Sequence, residues 1–458
     1  MFKKDISFKE FIMFLIPSIA VMAFMSTYAI VDGYFVSKYV SSDALAAVNL
    51  ILPINSIIYA VGLMFAAGGG AFSSIKLGEG DSKAASKFFS NLLMVAVIFG
   101  LVVMVIALTF KGQLLAFLGV NGALYSYGSV YSIFAIVTFP FIITKMIFTG
   151  FLRAEGQPKV SLKMSILGGS INMVLDFIFI VVMKMGVAGA GLGTLLGIII
   201  SLIYAGRYFK SEKSVLKFKL AAIEWKLVIN SMVNGSSEMV SELAIGFTSF
   251  VLNTLTIKHF GKDGVAAIAV ILYVNFFVSM IYQGIAIGTS PLLSYHYGAK
   301  NYNALAKVRK YTSYTIGVTS LLLSMIVFFY NYSLVSIFFR SDNMAYSIAV
   351  NALSIVAFAY LLMGVNMYGS AMYTALSNGK ISAVISFSKT FIIFAGASYI
   401  IPKIMGSEGI WFILPVVEVI TALMVFYLTR ERQLERYTGL KFYEETRDIA
   451  INDMNNVL

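Results

Sequence analysis

Two aspartates, one asparagine and one threonine lie within long apolar stretches of this 458-residue chain. Asp32 lies in the first apolar stretch, and Asp176 lies in the fifth, four residues after Asn172. This spacing places Asn172 and Asp176 on one face of a helix. Thr194 lies in the next apolar stretch. Two carboxylates, an amide and a hydroxyl are hard oxygen ligands that suit Na⁺ and can hold H⁺ instead, and neighbouring carboxylates titrate as a coupled pair.

Composition indicates that hydrocarbon surrounds these residues. The chain is 59% hydrophobic and 12% charged, with a mean hydropathy of +0.86, whereas a soluble domain carries about 25% charged residues. A carboxylate at the centre of a bilayer costs at least about 2.5 kcal/mol. We therefore expect Asp176 to face a cavity, with packing between helices as the alternative, and Asp32 to face it too or to meet water near the outer end of its span. The absence of cysteine excludes disulfides and thiolate metal sites.

Apolar runs of about 20 residues, the length that crosses the hydrocarbon, are the elements that must position these side chains. The twelve predicted spans are residues 10–36, 46–74, 88–110, 127–151, 160–183, 187–208, 228–257, 264–295, 311–335, 346–374, 381–402 and 408–429. They predict an all-α polytopic membrane protein with 12 transmembrane helices in two six-helix lobes. The predicted units are an N-terminal lobe (1–209), a linker (210–226), a C-terminal lobe (227–430) and a tail (431–458), and the linker is expected to be a surface helix or disordered.

An internal repeat supports the two-lobe plan. Residues 43–87 align with residues 263–307 at a shift of 220 without a gap. Because each copy holds an even number of spans, the copies share one orientation and are related by a pseudo-two-fold axis along the membrane normal. The polar residues are not repeated. At this shift Asp32, Asn172, Asp176 and Thr194 align with Leu252, Ile392, Gly396 and Leu414. A purely structural role would be expected in both copies.

Positive charge predicts the orientation in the membrane. With the N-terminus inside, 25 lysines and arginines lie on the cytoplasmic side and 7 on the opposite side. This bias predicts a multi-pass protein of the cell membrane with both termini in the cytoplasm. The net charge of +12 faces anionic lipid on that side, so it does not call for nucleic acid as a partner.

The second lobe has charged residues of its own within its spans. Glu238 and Glu242, four residues apart in the seventh span, are secondary candidates for binding a cation or a proton, although Glu238 would equally fit an interfacial position. Lys389 and Glu418 are expected to pair across the lobe and keep each other neutral. Lys145 has no evident partner in the sequence, and both snorkelling and proximity to a carboxylate remain open for it.

A soft, partly polar cavity between the lobes is expected to hold cargo. Methionine and aromatic side chains adapt to varied ligands, and an amide without a partner in lipid is unfavourable. Most such residues simply pack helices or face lipid, so each is weighed against that alternative. The candidates for the substrate cavity are Met25, Asn253, Asn275, Tyr282, Gln283 and Asn366.

The order and spacing of three segments within the twelve-span plan resemble a known transporter family. Residues 30–36, 153–156 and 172–176 look like the multidrug and toxic compound extrusion (MATE) family, in its bacterial and archaeal branch related to the DNA-damage-inducible and MepA-type pumps. The resemblance implies efflux of bulky, often cationic organic compounds in exchange for Na⁺ or H⁺. It also implies a cation site formed by four residues, Asp32, Asn172, Asp176 and Thr194. One departure is Phe177, where related pumps often have proline.

These patterns together predict a secondary active antiporter that exports organic, often hydrophobic compounds by alternating access. Na⁺ or H⁺ is the expected coupling ion, with no other cofactor. Small molecules and membrane lipid are the expected partners, and we expect a monomer. The alternative is a lipid-linked oligosaccharide flippase, which would need more cavity cations than Lys145 and Lys389 provide. A channel would need a filter-like loop, and an enzyme would need a metal cluster, nucleophile elbow or phosphate loop, none of which the sequence contains.

Overall fold

The computed structural model describes residues 6–219 and 221–438, with side chains except those of residues 26–30, 431–432 and 437–438. Ten helices there are long and apolar enough to cross a membrane, and a pair of helices bent by 44° adds another span. The 74-residue segment Trp225–Gly298 holds two spans, because Gly261 within it is non-helical (φ 62°, ψ −147°). Twelve spans therefore lie within the described residues, as the sequence predicts.

Six spans precede the linker and six follow it. In chain order, the spans are Phe8–Tyr39, Ser42–Gly78, Ser82–Thr109, Leu124–Val137 with Phe139–Ala154, Pro158–Asp176 with Phe177–Val182, Val187–Lys210, the two parts of Trp225–Gly298, Tyr302–Phe329, Met344–Val356 with Tyr360–Ala375, Gly379–Phe387 with Ser388–Ile393 and Phe394–Met405, and Gly409–Leu428. The helix Glu431–Thr438 begins the predicted tail, whose residues 439–458 lie outside the described part of the chain.

The two lobes repeat the local devices that start their spans. Asp81 Oδ1 accepts a hydrogen bond from the backbone N–H of Ala84 (2.9 Å), and Asn301 Oδ1 accepts one from Ala304 (3.1 Å), so the third and ninth spans carry equivalent N-caps. Gly186 and Gly406 precede the sixth and twelfth spans with φ of 61° and 68°. Glycine is favoured at such positive φ because it has no Cβ.

The first span of each lobe packs on the second span of the other lobe. A Cβ on Gly288, in the eighth span, would lie 2.6 Å from Leu15 of the first span. A Cβ on Gly235, in the seventh span, would lie 2.1 Å from the carbonyl oxygen of Met64 in the second. Small residues allow helix backbones in a membrane to approach this closely. The lobes are therefore joined by an exchange of helix contacts as well as by the linker.

The lobes also meet at the ends of the second and eighth spans, on the face of the protein that holds the linker, here called the linker side. A Cβ on Gly78 would lie 2.1 Å from the carbonyl oxygen of Tyr295, and one on Gly298 would lie 2.1 Å from that of Ile75. These backbones touch without intervening side chains. The described structure is thus closed between the lobes on the linker side.

The described residues of the linker form neither a surface helix nor a disordered segment, so the expectation from the sequence was wrong. Ser90 Oγ accepts a hydrogen bond from the backbone N–H of Lys219 (2.7 Å), and Asn91 Nδ2 donates to the carbonyl oxygen of Ala222 (3.0 Å). Ser86 Oγ accepts one from the N–H of Lys217 (3.2 Å). Polar side chains of the third span thus hold the linker as an extended strap against the N-terminal lobe.

Glu155 anchors the same strap from the end of the fourth span. Its Oε2 accepts hydrogen bonds from Ser214 Oγ (2.9 Å) and from the backbone N–H groups of Val215 (3.1 Å) and Leu216 (3.3 Å). Glu155 is itself 2% exposed. Burial raises the pKa of the Glu155 carboxyl above its usual value of 4.5, and the bonds from the linker oppose that shift.

Candidate functional site

Four polar side chains meet inside the N-terminal lobe, and they form what we call the N-lobe cluster: Asp32, Asn172, Asp176 and Thr194. Asn172 Nδ2 donates hydrogen bonds to Asp176 Oδ1 (3.4 Å) and to Thr194 Oγ1 (3.3 Å). The carboxyl groups of Asp32 and Asp176 are close enough to interact with each other. The first, fifth and sixth spans therefore bring together the four candidate residues, which lie far apart in the sequence.

Glycines of the sixth span allow it to approach the cluster. A Cβ on Gly193 would lie 2.4 Å from Asp176 Oδ1, and one on Gly197 would lie 3.0 Å from the Cβ of Asn172. The glycines of the sixth span therefore let it pack closely against the fifth. Any larger residue at Gly193 would displace the carboxylate, so this glycine sets the position of Asp176.

Burial and unpaired oxygens give the N-lobe cluster its chemical character. Asp176 is 0% exposed and Asn172 is 3% exposed, while Asp32 and Thr194 are half-buried. Oδ1 of Asp32, Oδ1 of Asn172 and Oδ2 of Asp176 are buried without a hydrogen-bond donor among the described residues. Buried acceptors without donors are unfavourable, and a monovalent cation or a proton would satisfy them. The residues present therefore fit Na⁺ or H⁺ as ligand.

The fifth span changes its winding directly after the cluster. Its α-helix ends at Asp176, and the six residues Phe177–Val182 form a π-helical turn. π-Turns inside helices are rare and occur often at functional sites. The fifth span is therefore irregular after Asp176 even though residue 177 is phenylalanine and not proline.

The secondary acidic candidates lie apart from the N-lobe cluster, on the seventh span. Glu238 is half-buried and lines a pocket of about 40 Å³ between the lobes, which Arg153 also lines. Glu242 is half-buried one turn further along. Met25 and Lys145 line another small pocket, of about 10 Å³. Both pockets are lined by residues of both lobes, where the sequence predicted a cargo cavity.

A much larger chamber of about 360 Å³ lies within the C-terminal lobe. Three of the predicted cavity residues line it: Asn275, Gln283 and Asn366. Two others are placed differently. The hydroxyl of Tyr282 is buried and donates to the carbonyl oxygen of Tyr360 (2.7 Å), and Asn253 Nδ2 donates to the carbonyl oxygen of Ser249 (2.8 Å).

An ion pair stands in the wall of this chamber. Lys389 Nζ lies 2.7 Å from Glu418 Oε1, which confirms the predicted pairing across the lobe. Asn366 Nδ2 donates to Glu418 Oε2 (2.5 Å) and to the carbonyl oxygen of Glu418 (2.9 Å). Glu418 of the twelfth span therefore lies between Asn366 of the tenth span and Lys389 of the eleventh.

Hydroxyl groups on the chamber wall were not selected from the sequence. Ser370 Oγ lies 2.9 Å from Ser386 Oγ and 2.9 Å from Ser382 Oγ, and Ser386 Oγ lies 3.2 Å from Ser241 Oγ. Ser382 and Ser386 are four residues apart, so their helical spacing is the feature of the sequence that could have indicated this cluster. Serines also bond to their own helix so often that this signal alone identifies no site.

Comparison with known proteins gives consistent matches over nearly the whole chain. A family model described as MatE matches residues 17–178 and, a second time, residues 239–400. The multidrug export protein MepA of Staphylococcus aureus (strain bovine RF122 / ET3-1) is 27% identical over 437 residues, which is 94% of this chain and 96% of that protein. The protein of the same name from Staphylococcus saprophyticus is 25% identical over the same length. The two matches to one model support the internal repeat.

Solved structures with the same fold are also found. An outward-facing multidrug resistance MATE family transporter of the MOP superfamily superposes with a TM-score of 0.87 at 22% identity, covering 96% of this chain and 98% of that one. A MOP superfamily transporter from Pyrococcus furiosus, whose binding pocket is described as reversed in polarity, gives a TM-score of 0.87 at 21% identity and covers 94% and 97%. These structures share the twelve-helix, two-lobe layout found here.

Proposed function

Since this chain belongs to the MatE family of efflux transporters, we propose that it is a secondary active antiporter that exports organic compounds in exchange for Na⁺ or H⁺. The linker side faces the cytoplasm in this proposal, as the excess of positive charge there suggests. The closed contacts at Gly78 and Gly298 then hold the protein in a state without an opening to the cytoplasm. Export by alternating access needs such a state.

The observation that carries the proposal is the N-lobe cluster. Two carboxyl groups within reach of each other and three buried oxygens without donors form a site for one small cation. Two carboxyl groups hydrogen-bond to each other only if one holds a proton, so H⁺ and Na⁺ would compete for the same oxygens. Ion binding would neutralise Asp32 and Asp176 and change how the first, fifth and sixth spans pack.

Coupling to cargo requires that each ligand weakens the binding of the other. Linkage makes this effect reciprocal, and coupling free energies of about 1–3 kcal/mol are typical. The π-turn after Asp176 is the element of the fifth span best placed to convert ion binding into a different bend. A flippase for lipid-linked sugars is less favoured, because Lys145, Arg153 and Lys389 are few cations for binding phosphate groups and Lys389 is already paired.

The test is transport by the purified protein in liposomes. A fluorescent organic cation should move only when a Na⁺ gradient or a pH gradient is imposed, and Asp176→Asn should abolish this movement because the cluster then loses a titratable ligand. Asp43→Asn is the matched control, since Asp43 is exposed at the start of the second span. Undiminished coupled flux through Asp176→Asn at equal expression would contradict the proposal. Cargo affinity titrated against Na⁺ at fixed pH, and against pH without Na⁺, identifies the ion.

A further inference from the structure

The chamber in the C-terminal lobe is large enough for a drug-sized molecule. Its volume of about 360 Å³ falls within the range of about 300–1,000 Å³ that is usual for small-molecule pockets. Its wall combines rings and thioethers with a few polar groups. The wall includes Tyr273, Phe276, Met363, Asn366, Lys389 and Glu418. The chamber is built entirely from spans of the second lobe, away from the N-lobe cluster.

Glu418 is the fixed member of the ion pair. Its side chain is 4% exposed, and Asn366 holds both a carboxylate oxygen and the carbonyl oxygen of the same residue. Lys389 is the movable member, because its side chain is 24% exposed and its ammonium group sits on a flexible four-carbon stem. A carboxylate held in place beside a cation that can swing away is a preformed site for a second cation.

Asn366 offers a further acceptor at the same place. Its Nδ2 is fully used on Glu418, whereas its Oδ1 is buried with no donor among the described residues. Asn366 is 2% exposed, so this oxygen cannot be satisfied by bulk water. A ligand that carries both a positive charge and an N–H group would satisfy Glu418 and Asn366 together. A charge-assisted hydrogen bond of this kind is stronger than a neutral one.

The rest of the wall suits the apolar part of such a ligand. Tyr273 and Phe276 present ring surface with 63% and 39% of their area exposed, and rings attract organic cations over their faces. Met363 adds an adaptable thioether. The ion pair is also specific to this lobe, since Lys389 and Glu418 align with Gly169 and Ile198 at the shift of 220. Scaffold packing alone does not require it.

We propose that this chamber binds the exported cargo as a protonated amine, whose N–H⁺ group displaces Lys389 from Glu418 and donates to Asn366. Lys389 is then a tethered competitor that occupies the carboxylate when cargo is absent and keeps Glu418 from being buried unpaired. The inference rests on the proposed export of organic compounds and adds the site and the chemical class of the cargo.

The proposal predicts opposite effects for the two members of the pair. Binding of quinacrine, a fluorescent protonated amine, is measured by fluorescence on purified protein in nanodiscs without an ion gradient. Glu418→Gln should weaken binding about tenfold, because the ammonium group of the ligand then lacks the negative charge that it faces in the wild type. Lys389→Met should tighten binding by a comparable factor of about ten, because the competitor is removed. A purely structural ion pair would make both substitutions weaken binding, and that result would overturn the proposal.

Further variants guard against misfolding and non-specific effects. The double variant Lys389→Met/Glu418→Gln leaves no unpaired charge in the chamber and should bind quinacrine as weakly as Glu418→Gln alone. Lys145→Met removes a lysine from a span of the other lobe and should leave the affinity unchanged. Tetraphenylphosphonium, a cation without N–H, should respond less to Asn366→Leu than quinacrine does. Equal binding by the double variant and the wild type would also reject the site.

This assay separates the inference from the proposed antiport. Binding is measured without Na⁺ or pH gradients, so a failure of coupling at the N-lobe cluster leaves it intact. If coupled transport occurs in liposomes but the chamber variants bind quinacrine like the wild type, the antiport stands and this cargo site is wrong. If binding changes as predicted but no gradient drives transport, the site stands and the coupling is wrong.

Discussion

Single residues decide whether the N-lobe cluster forms a usable site. Asp176 has no exposed surface, and its position is limited by Gly193 on the facing helix, where a Cβ would lie 2.4 Å from Oδ1. Sites for small ions need their ligands within about 0.5 Å of the correct geometry. The position of the Asp176 carboxylate therefore depends on the missing Cβ of Gly193 as well as on the hydrogen bond from Asn172.

Gly193→Ala should weaken binding of the coupling ion by roughly tenfold or more, a loss usual for disturbed ligand support. The added methyl group must push Asp176 aside, although alanine favours the helix itself by about 1 kcal/mol. The measurement is the Na⁺ or H⁺ concentration that gives half-maximal coupled transport in liposomes.

Gly206→Ala is the control for this substitution, because a Cβ at Gly206, in the same span, would meet nothing within 4 Å. Equal ion dependence of the Gly193 and Gly206 variants would show that Gly193 does not set the position of the carboxylate.

The sequence alone identified the four members of this cluster but could not show how they meet. Carboxylates in apolar runs and their absence from the second copy singled out Asp32 and Asp176, because such groups are costly in hydrocarbon. The contribution of Gly193 depends on which face of one helix meets another. That relation is set by tertiary packing, which a single sequence does not reveal.

At the scale of elements, the helices follow from the sequence and the irregular segments do not. Runs of apolar residues of sufficient length give the spans, since hydrocarbon requires every backbone group to be paired within the helix. The strap at residues 211–219 depends on Ser86, Ser90 and Glu155, which lie many residues earlier in the chain. The π-turn at Phe177–Val182 likewise has no local signal that distinguishes it from a regular helix.

The stability of the folded protein should depend on pH through Glu155. The pKa of this carboxyl is raised in the folded protein, so the folded state binds more protons than the unfolded state between the usual value of 4.5 and the raised pKa. Stability therefore falls as pH rises through that window. Glu155→Gln does not titrate, so the free energy of unfolding of the wild type relative to that of this variant should fall as pH increases.

Hydrogen exchange of the most protected amides, which report global unfolding, measures this difference when wild type and Glu155→Gln are compared at each pH. The ratio of protection factors cancels the intrinsic dependence of exchange on pH. Glu79→Gln is the control, since Glu79 is an exposed acid at the end of the second span. A ratio that stays constant or rises with pH would contradict the role assigned to Glu155.

At the scale of the whole molecule, backbone contacts between glycines and carbonyl groups keep the linker side shut. Gly78 and Gly298 occupy equivalent positions in the two copies, and each touches the helix of the other lobe. The repeat therefore places one closing contact in each lobe. Because helix backbones cannot yield as side chains do, these contacts form only when the lobes are fully together.

Gly78→Val should favour separation of the lobes on the linker side. Overpacking costs about 1–3 kcal/mol, which corresponds to a change of roughly 5- to 150-fold in the ratio of closed to open protein. Because the chain contains no cysteine, Ser231→Cys places a single thiol at the buried contact of the second and seventh spans. Reaction of this thiol with a maleimide should become faster in the Gly78→Val background.

Gly317→Val serves as the comparison, because a Cβ at Gly317 would meet nothing within 4 Å. Equal labelling rates in the Gly78 and Gly317 backgrounds would mean that the closing contacts at the linker side do not hold the lobes together.

The strap on the third span fixes the pivot of any rocking between lobes. The chain is still bonded to the N-terminal lobe at Ala222, and the seventh span begins at Trp225. Lys87 of the third span also pairs with Glu224 at 2.5 Å. Three residues reach about 10 Å at most, so the near end of the seventh span cannot travel far from the third. That span must therefore act as a lever anchored at its linker end, whose far end sweeps the widest arc.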